Sequence, residues 1–576
     1  MTPRFHSPGD TLRSLWPWLP LWLLVALVAI FSHGPMPMYS TRALAVAWDM
    51  WTHGQWLVPH LNGMPYSEKA PLLFWLIHAG WFVFGVNDIW PRVLEIGFGA
   101  TELVLVTLLA KRLFPERPWV AKAVPWMTMA LVYAFLFDLQ IMYDVLLAVW
   151  ALGALLCLTP KPGRAEPRWL LFGACIGLGL LTKGPVMLLH VVFPWLLGPL
   201  WNDWANAHRA RWYGRGILGV LLGLAVLAAW AAPAVIIGGP DYRHRLLFTQ
   251  TAARVVDGVQ HAMPLQSHSR PWWWYLSRLP IMLFPFFFWP RAWVALGALR
   301  RPLSSGVRFC LCWLLPMLIT FSAISGKQLY YPLPEFAGVM LLLAGAIAVL
   351  RERHAGLARN GWLGTWPLGI SGIGFGIILF IVPWLVAWGY LEGPWADALA
   401  AWSRDLSIVF ILLGLLLWLR GRGETLRLAV AGLVGALAIN TLFTLAWWPR
   451  YNLHPTAQLL SHAQADGRSV GYVGSYDGQF HFDGRLERPI AELYSPSNIQ
   501  HFVQKHPHGL IVTNPDELIP EARRYALLIQ PFRSSWSVTW PAQALADIQA
   551  GRTPPEPEHA PRIIDPAHPG RYRSQP

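Results

Sequence analysis

The chain has 576 residues, 55% of them hydrophobic and only 13% charged, and its mean hydropathy is +0.39. Soluble domains carry about 25% charged residues, so a chain this long and this apolar cannot clothe a soluble surface, and disorder is excluded by the same numbers. The net charge of +14 lies on short loops between apolar runs, the pattern that orients a membrane protein rather than one that binds nucleic acid.

Residues 1–13 carry Arg4 and Arg13 and precede the apolar run 15–32. No small-residue cleavage site follows, so this run reads as a retained first transmembrane helix. Further apolar runs near 93–112, 119–137, 140–159, 168–182, 185–201, 215–238, 273–294, 307–324, 328–350, 364–390, 405–419 and 427–447 predict about 13 spans by the roughly 20-residue criterion. Alternate loops are rich in Lys and Arg, among them Lys111/Arg112/Arg117, Arg209/Arg211/Arg215, Arg351/Arg353/Arg359 and Arg420/Arg422/Arg427. Those loops are cytoplasmic by the positive-inside rule. The N-terminus is then cytoplasmic and the C-terminus periplasmic.

Two loops on the outer side are long, residues 33–92 and 239–272. In the first, 42–51 and 72–84 have helical apolar spacing and read as helices along the membrane surface. The transmembrane region ends near 450. Residues 451–551 read as a small soluble α/β domain, and 552–576 as a disordered tail. The four cysteines lie in or beside apolar runs without metal or disulfide spacing.

Ionisable residues at membrane depth mark functional sites. Asp144 opens an apolar run, and Asp138 lies on the same short outer loop. Lys183 (Leu180-Leu181-Thr182-Lys183-Gly184-Pro185), Lys327 (Ser325-Gly326-Lys327-Gln328) and Lys69 (Ser67-Glu68-Lys69-Ala70-Pro71) all fall on outer loops, where the positive-inside rule disfavours lysine. Each admits a snorkelling role or a role in holding an anionic phosphate. His268 ends the second long loop and, with Glu68, has the chemistry to hold a divalent metal such as Zn, Mg or Mn.

Several segments together resemble the bacterial aminoarabinose-transferase and PMT-type glycosyltransferases, the membrane-embedded GT-C class. They are 54–63 (Gly-Gln-Trp-Leu-Val-Pro-His-Leu-Asn-Gly), 66–72 (Tyr-Ser-Glu-Lys-Ala-Pro-Leu), 84–87 with Arg92, the Asp144 segment, 181–185, and Gly326-Lys327 with 332–334. The resemblance implies an all-α polytopic GT-C protein of about 13 spans with a small C-terminal α/β periplasmic domain, in the bacterial inner membrane. It implies a polyprenyl-phosphate-linked sugar as donor and a lipid A-like glycolipid, other glycan or protein as acceptor. Glu68 and His268 would hold the metal, Lys69 would sit near the donor phosphate, and Asp144 would be an acid of the active site; Lys183, Lys327 and Arg42 are further candidates for holding that phosphate.

One position departs from the family. An Asp-Glu pair is usual before Thr-Arg, whereas here Tyr39-Ser40 precedes Thr41-Arg42. The catalytic base then falls to Asp49, Asp144 or Asp138. A phosphate acceptor, already ionised, would need no strong base. The rival readings are a transporter or flippase for a lipid-linked sugar and a non-catalytic binder of one. Against the first stand the large outer loops and the absence of paired repeats.

Overall fold

The computed structural model describes residues 17–161, 163, 165–246, 270–419, 423–557, 559–564 and 572–573. Seven of the described helices are long and apolar enough to cross a membrane: Ile89–Leu113, Arg209–His244, Ser305–Ala323, Leu333–Arg353, Trp366–Ala387, Trp395–Trp418 and Glu424–Arg450. Pro118–Met129 and Val132–Asp138 make an eighth if taken as one span, bent by 71°. Leu19–Ser32, Leu72–Phe84, Tyr143–Leu158, Trp169–Lys183 and Val186–Leu196 are apolar but shorter. The sequence count of about 13 is therefore larger than the set of full-length helices.

The widest departure is at 273–294, expected to be one span. The chain there forms Trp274–Met282, a short turn at Phe286–Phe288, and Pro290–Gly297. Pro280, Pro285 and Pro290 recur every five residues. Each removes a backbone donor and clashes with the preceding turn, so no continuous helix survives. The outer loop expected from 239 also begins differently. The Arg209–His244 helix passes through a kink at Gly239, whose φ of 78° suits glycine, and stays helical to His244.

Glycine stripes set how closely the helices approach. A Cβ on Gly173 would lie 2.4 Å from the Gly219 carbonyl oxygen, and one on Gly177 2.7 Å from Val226. Trp169–Lys183 and Arg209–His244 thus touch backbone to backbone, the packing small residues permit in membranes. Leu333–Arg353 runs through the middle of the bundle and is buried along most of its length.

The described residues from 454 onward fold around a seven-stranded sheet. Its strands are β3 (Val470–Val473), β4 (Ala491–Leu493), β5 (Leu510–Thr513), β6 (Leu528–Phe532), β7 (Ser535–Pro541), β8 (Arg562–Ile564) and β9 (Tyr572–Arg573); β1 (His60–Leu61) and β2 (Met64–Pro65) form a separate hairpin. The order in the sheet is β4-β3-β5-β7-β6-β8-β9. The segment read from sequence as a disordered tail thus supplies β8, which pairs parallel with β6 through Leu528–Arg562 and Ile529–Ile563.

This domain is fastened to the 33–92 region at several points. The Asn62 side chain exchanges hydrogen bonds with the Ile490 backbone at 2.9 and 2.7 Å. The Trp48 indole donates to the Leu486 carbonyl at 2.9 Å. Trp81 stacks on Phe482 with ring centroids 5.5 Å apart. Gly478 has a φ of 80°, and a Cβ there would lie 2.6 Å from Leu61 and 2.9 Å from Ala45. The turn at Asp477-Gly478 therefore presses directly onto the Ser40–His53 helix.

Candidate active site

Helix Ser40–His53 presents Arg42 toward the C-terminal domain. Its guanidinium lies 2.5 Å from Asp477 Oδ1 and 3.7 Å from Glu68 Oε2. The Tyr66 hydroxyl donates to the same Glu68 oxygen at 3.3 Å. Burial pushes the Tyr66 phenol up, reinforced by Glu68, so it stays a donor. Burial works against the charge of Arg42, but Asp477, Tyr66 and Glu68 outweigh it and the guanidinium is held more firmly protonated than usual. Asp477 moves the other way. Burial raises it above the ordinary aspartate range, Arg42 opposes that, and Glu68 adds to it.

A second group adjoins the first. Lys183, at the end of Trp169–Lys183, is ion-paired with Asp144 in the first turn of Tyr143–Leu158. Its ammonium also lies 4.5 Å over the Tyr331 ring and 5.4 Å over Tyr330. Tyr39 packs edge-on to Tyr330 at 6.2 Å. Tyr143 links the two groups. Lys69 sits 5.6 Å over its ring, and Arg42, Glu68 and Tyr66 act on its hydroxyl electrostatically. Lys69 also donates to the Glu68 carbonyl at 3.4 Å.

The stretch before Asp144 is held by buried side chains. Ser40 accepts the Ile141 amide at 3.2 Å, and Glu95 accepts the Met142 amide at 3.3 Å. The Ser40 that replaces an acid of the family pattern thus tethers backbone.

The structure does not bring the other sequence candidates here. Asp49 is buried; it accepts the Gly63 amide at 3.2 Å and faces His53 at 3.3 Å, which ties it to the β1–β2 turn. Asp138 ends its helix against Gly99 and lies near Glu102 rather than in the Arg42 group. Lys327 is buried, and its ammonium donates to the carbonyls of Arg270, at 2.9 Å, and Ile324. His268 lies outside the described residues. Among the described residues no three His, Cys, Asp or Glu converge as a metal site. Asp477 was not singled out from sequence, because an Asp-Gly in a soluble domain reads as a turn.

The gathered groups, Arg42, Lys69 and Lys183 beside Glu68, Asp144 and Asp477, come from five separate segments. Such a set can hold a phosphate and place a carboxylate near a reacting hydroxyl.

Residues 68–231 match the dolichyl-phosphate-mannose-protein mannosyltransferase family. The chain is 31% identical over 429 residues to the undecaprenyl phosphate-alpha-4-amino-4-deoxy-L-arabinose arabinosyl transferase of Pseudomonas paraeruginosa, a match covering 68% of this chain and 73% of that one. To the transferase of the same name from Pectobacterium atrosepticum it is 30% identical over 363 residues, covering 59% and 61%. The fold is similar to that of ArnT from Cupriavidus metallidurans. The TM-score is 0.68 at 18% identity for the form bound to undecaprenyl phosphate, covering 91% of this chain and 97% of that one. For the apo form it is 0.64 at 17% identity, covering 92% and 98%.

Proposed function

The chain belongs to the aminoarabinose arabinosyl transferase family, membrane-embedded glycosyltransferases of the GT-C fold, and from that premise we propose that it moves a sugar from a polyprenyl-phosphate donor to an acceptor such as a lipid A-like glycolipid at the outer face of the bacterial inner membrane. Membership of a transferase family sets aside the transporter reading. The observation that carries the proposal is the convergence of Arg42, Lys69 and Lys183 on Glu68, Asp144 and Asp477.

The chemistry is a displacement at the anomeric carbon. The acceptor oxygen forms a bond to that carbon, the bond to the phosphate oxygen breaks, and its electron pair leaves on the polyprenyl phosphate. Arg42, Lys69 and Lys183 would meet the phosphate, whose negative charge grows as the bond breaks. Asp144, its side chain 4% exposed and held by Lys183, acts by fixing that lysine in place. Asp477, its side chain 25% exposed, is more reachable than Asp144, and with Glu68 kept for a divalent ion we assign it the acceptor proton.

A divalent ion fits the charge balance. Three cations already face three carboxylates, so an incoming phosphate leaves the site negative. Glu68 is an oxygen donor with its side chain 36% exposed. It would hold the ion together with His268, and the ion would add positive charge beside the phosphate.

The alternation of basic loops supports 13 crossings, a cytoplasmic N-terminus and a periplasmic C-terminal domain, with Ser40–His53 and Leu72–Phe84 along the outer surface. The activity test uses the full chain in lipid nanodiscs with polyprenyl-phosphate-linked sugars and a lipid A acceptor, read as a mass increase of the acceptor. Failure to transfer from every polyprenyl-phosphate donor overturns the reading.

A further inference from the structure

A second cavity, of about 740 Å³, lies far from the site described above. It is lined by Trp119, Lys122, Trp126, Arg291, Arg351 and Arg359, together with Glu424 and its neighbours. Its distance from the transfer site follows from one helix. Leu333–Arg353 begins just after Tyr330 and Tyr331, which pack on Lys183, and ends at Arg351 and Arg353. Its 21 residues at about 1.5 Å each span roughly 30 Å, the thickness of a bilayer's hydrocarbon core. The two sites therefore sit at opposite ends of the bundle.

The cavity has four basic side chains and one carboxylate, and that carboxylate is already taken. Arg291 grips Glu424 through two hydrogen bonds of 2.8 and 2.9 Å and donates to the carbonyls of Ala358 and, at 3.0 Å, Asn360. The nearby acid Glu352 is likewise occupied, by Arg117 through two bonds of 2.8 Å. Among the described residues Lys122, Arg351 and Arg359 make no ion pair with a carboxylate, although Glu424 acts on Arg351 from a distance. Arg351 instead lies 3.8 Å over the Trp119 ring. A concave surface with three cations lacking acids, walled by tryptophans and placed where helices meet the membrane face, matches the chemistry of a phosphate group carried on an amphiphile.

We propose that this cavity binds a phosphate-bearing anion, a lipid headgroup in the leaflet opposite the transfer site. Arg291 shapes the cavity by holding the 357–360 turn to Glu424, and Lys122, Arg351 and Arg359 meet the phosphate oxygens. Trp119, in the first turn of Pro118–Met129, and Trp126, two turns further along the same helix, wall the cavity on its apolar side. The inference is independent of the donor and acceptor chemistry.

The test is native mass spectrometry of the full chain in detergent, titrated with phosphatidylglycerol or phosphatidylcholine. The parent protein should retain phosphatidylglycerol at least tenfold more tightly than phosphatidylcholine. Each charge near an anionic headgroup is worth roughly fivefold in affinity, so Lys122→Gln with Arg359→Gln together should lose about twenty-fivefold. Neutral glutamines keep the polar surface, and unchanged sugar transfer reports that the double variant is folded. Inorganic phosphate at millimolar concentration is the competing arm. Its failure to displace the lipid assigns the site to the headgroup, whereas displacement assigns it to phosphate as such, and either supports a phosphate site. Equal retention of the two lipids by the parent, or undiminished phosphatidylglycerol binding by the folded double variant, overturns the proposal.

Discussion

Arg42 and Asp477 are 435 residues apart in the chain, yet the guanidinium and the carboxylate approach to 2.5 Å. The contact puts an acid from the soluble domain among groups contributed by the membrane bundle.

Removing the Asp477 charge should separate binding from turnover. Asp477→Asn keeps the shape of the side chain but cannot take a proton, and loss of a positioned base typically costs about a hundredfold or more in rate. Donor affinity should change by less than about threefold. Arg42→Ala should weaken donor binding by roughly tenfold or more, the usual loss for a charge-assisted phosphate contact. Donor affinity and single-turnover rate on both variants check this, and normal turnover in Asp477→Asn would reduce Asp477 to a docking contact.

The Lys183–Asp144 pair is buried, so its two partners should not be separable. Asp144→Asn strands a lysine charge and should destabilise the protein by about 3–5 kcal/mol. It should also weaken donor binding, because Lys183 is released. Lys183→Met with Asp144→Leu should be less destabilised than Asp144→Asn alone, while still binding donor roughly tenfold or more weakly than the parent. Thermal unfolding and donor titration on the parent, Asp144→Leu, Lys183→Met and the double variant measure the coupling. Additive losses would show that the two residues act independently.

Glu68 is the accessible carboxylate of the site. If it holds a divalent ion, Glu68→Gln and treatment with chelator should each depress transfer by at least about tenfold, and restored Zn, Mg or Mn should rescue the chelated parent but not the variant. Metal analysis of the purified parent and Glu68→Gln gives an independent readout. Full activity in chelator would return Glu68 to its role as partner of Arg42 and Tyr66.

The C-terminal domain carries an acid-sensitive histidine. Burial pushes His481 down from the ordinary 6.5 to about 4, and its ring bonds the Tyr476 hydroxyl at 2.7 Å. The unfolded chain takes up this proton below about pH 6.5 and the folded chain only near pH 4. Stability is therefore complete above pH 6.5 and falls as pH drops from there toward 4, by about 3 kcal/mol in all. Thermal unfolding of the full chain between pH 7.5 and pH 4.5 should show this slope, and His481→Gln should flatten it.

Lys69, Lys183, Glu68 and Asp144 could be singled out from sequence because a charge bordering an apolar run is unusual wherever it faces. Asp477 had no such contrast, since its surroundings in the chain are polar. Asp49 and Lys327 show the opposite failure. Their charges stand out in sequence, but backbone amides and carbonyls engage them, and those contacts exist only once the chain is folded. The same limit applies to helices. Apolar length marked most spans, whereas the three prolines between 280 and 290 broke one run that composition alone presents as continuous. Strand β8 was hidden because its proline-rich flanks resemble a linker.

The fastening of residues 477–490 onto the 33–92 region sets an order on the life of the molecule. Every helix of the bundle is made before Asp477 leaves the ribosome, so a nascent chain can be fully inserted and still lack the carboxylate that faces Arg42. A product truncated after residue 450 would keep Lys69, Lys183 and Asp144 while missing Asp477 and every contact it makes with Arg42.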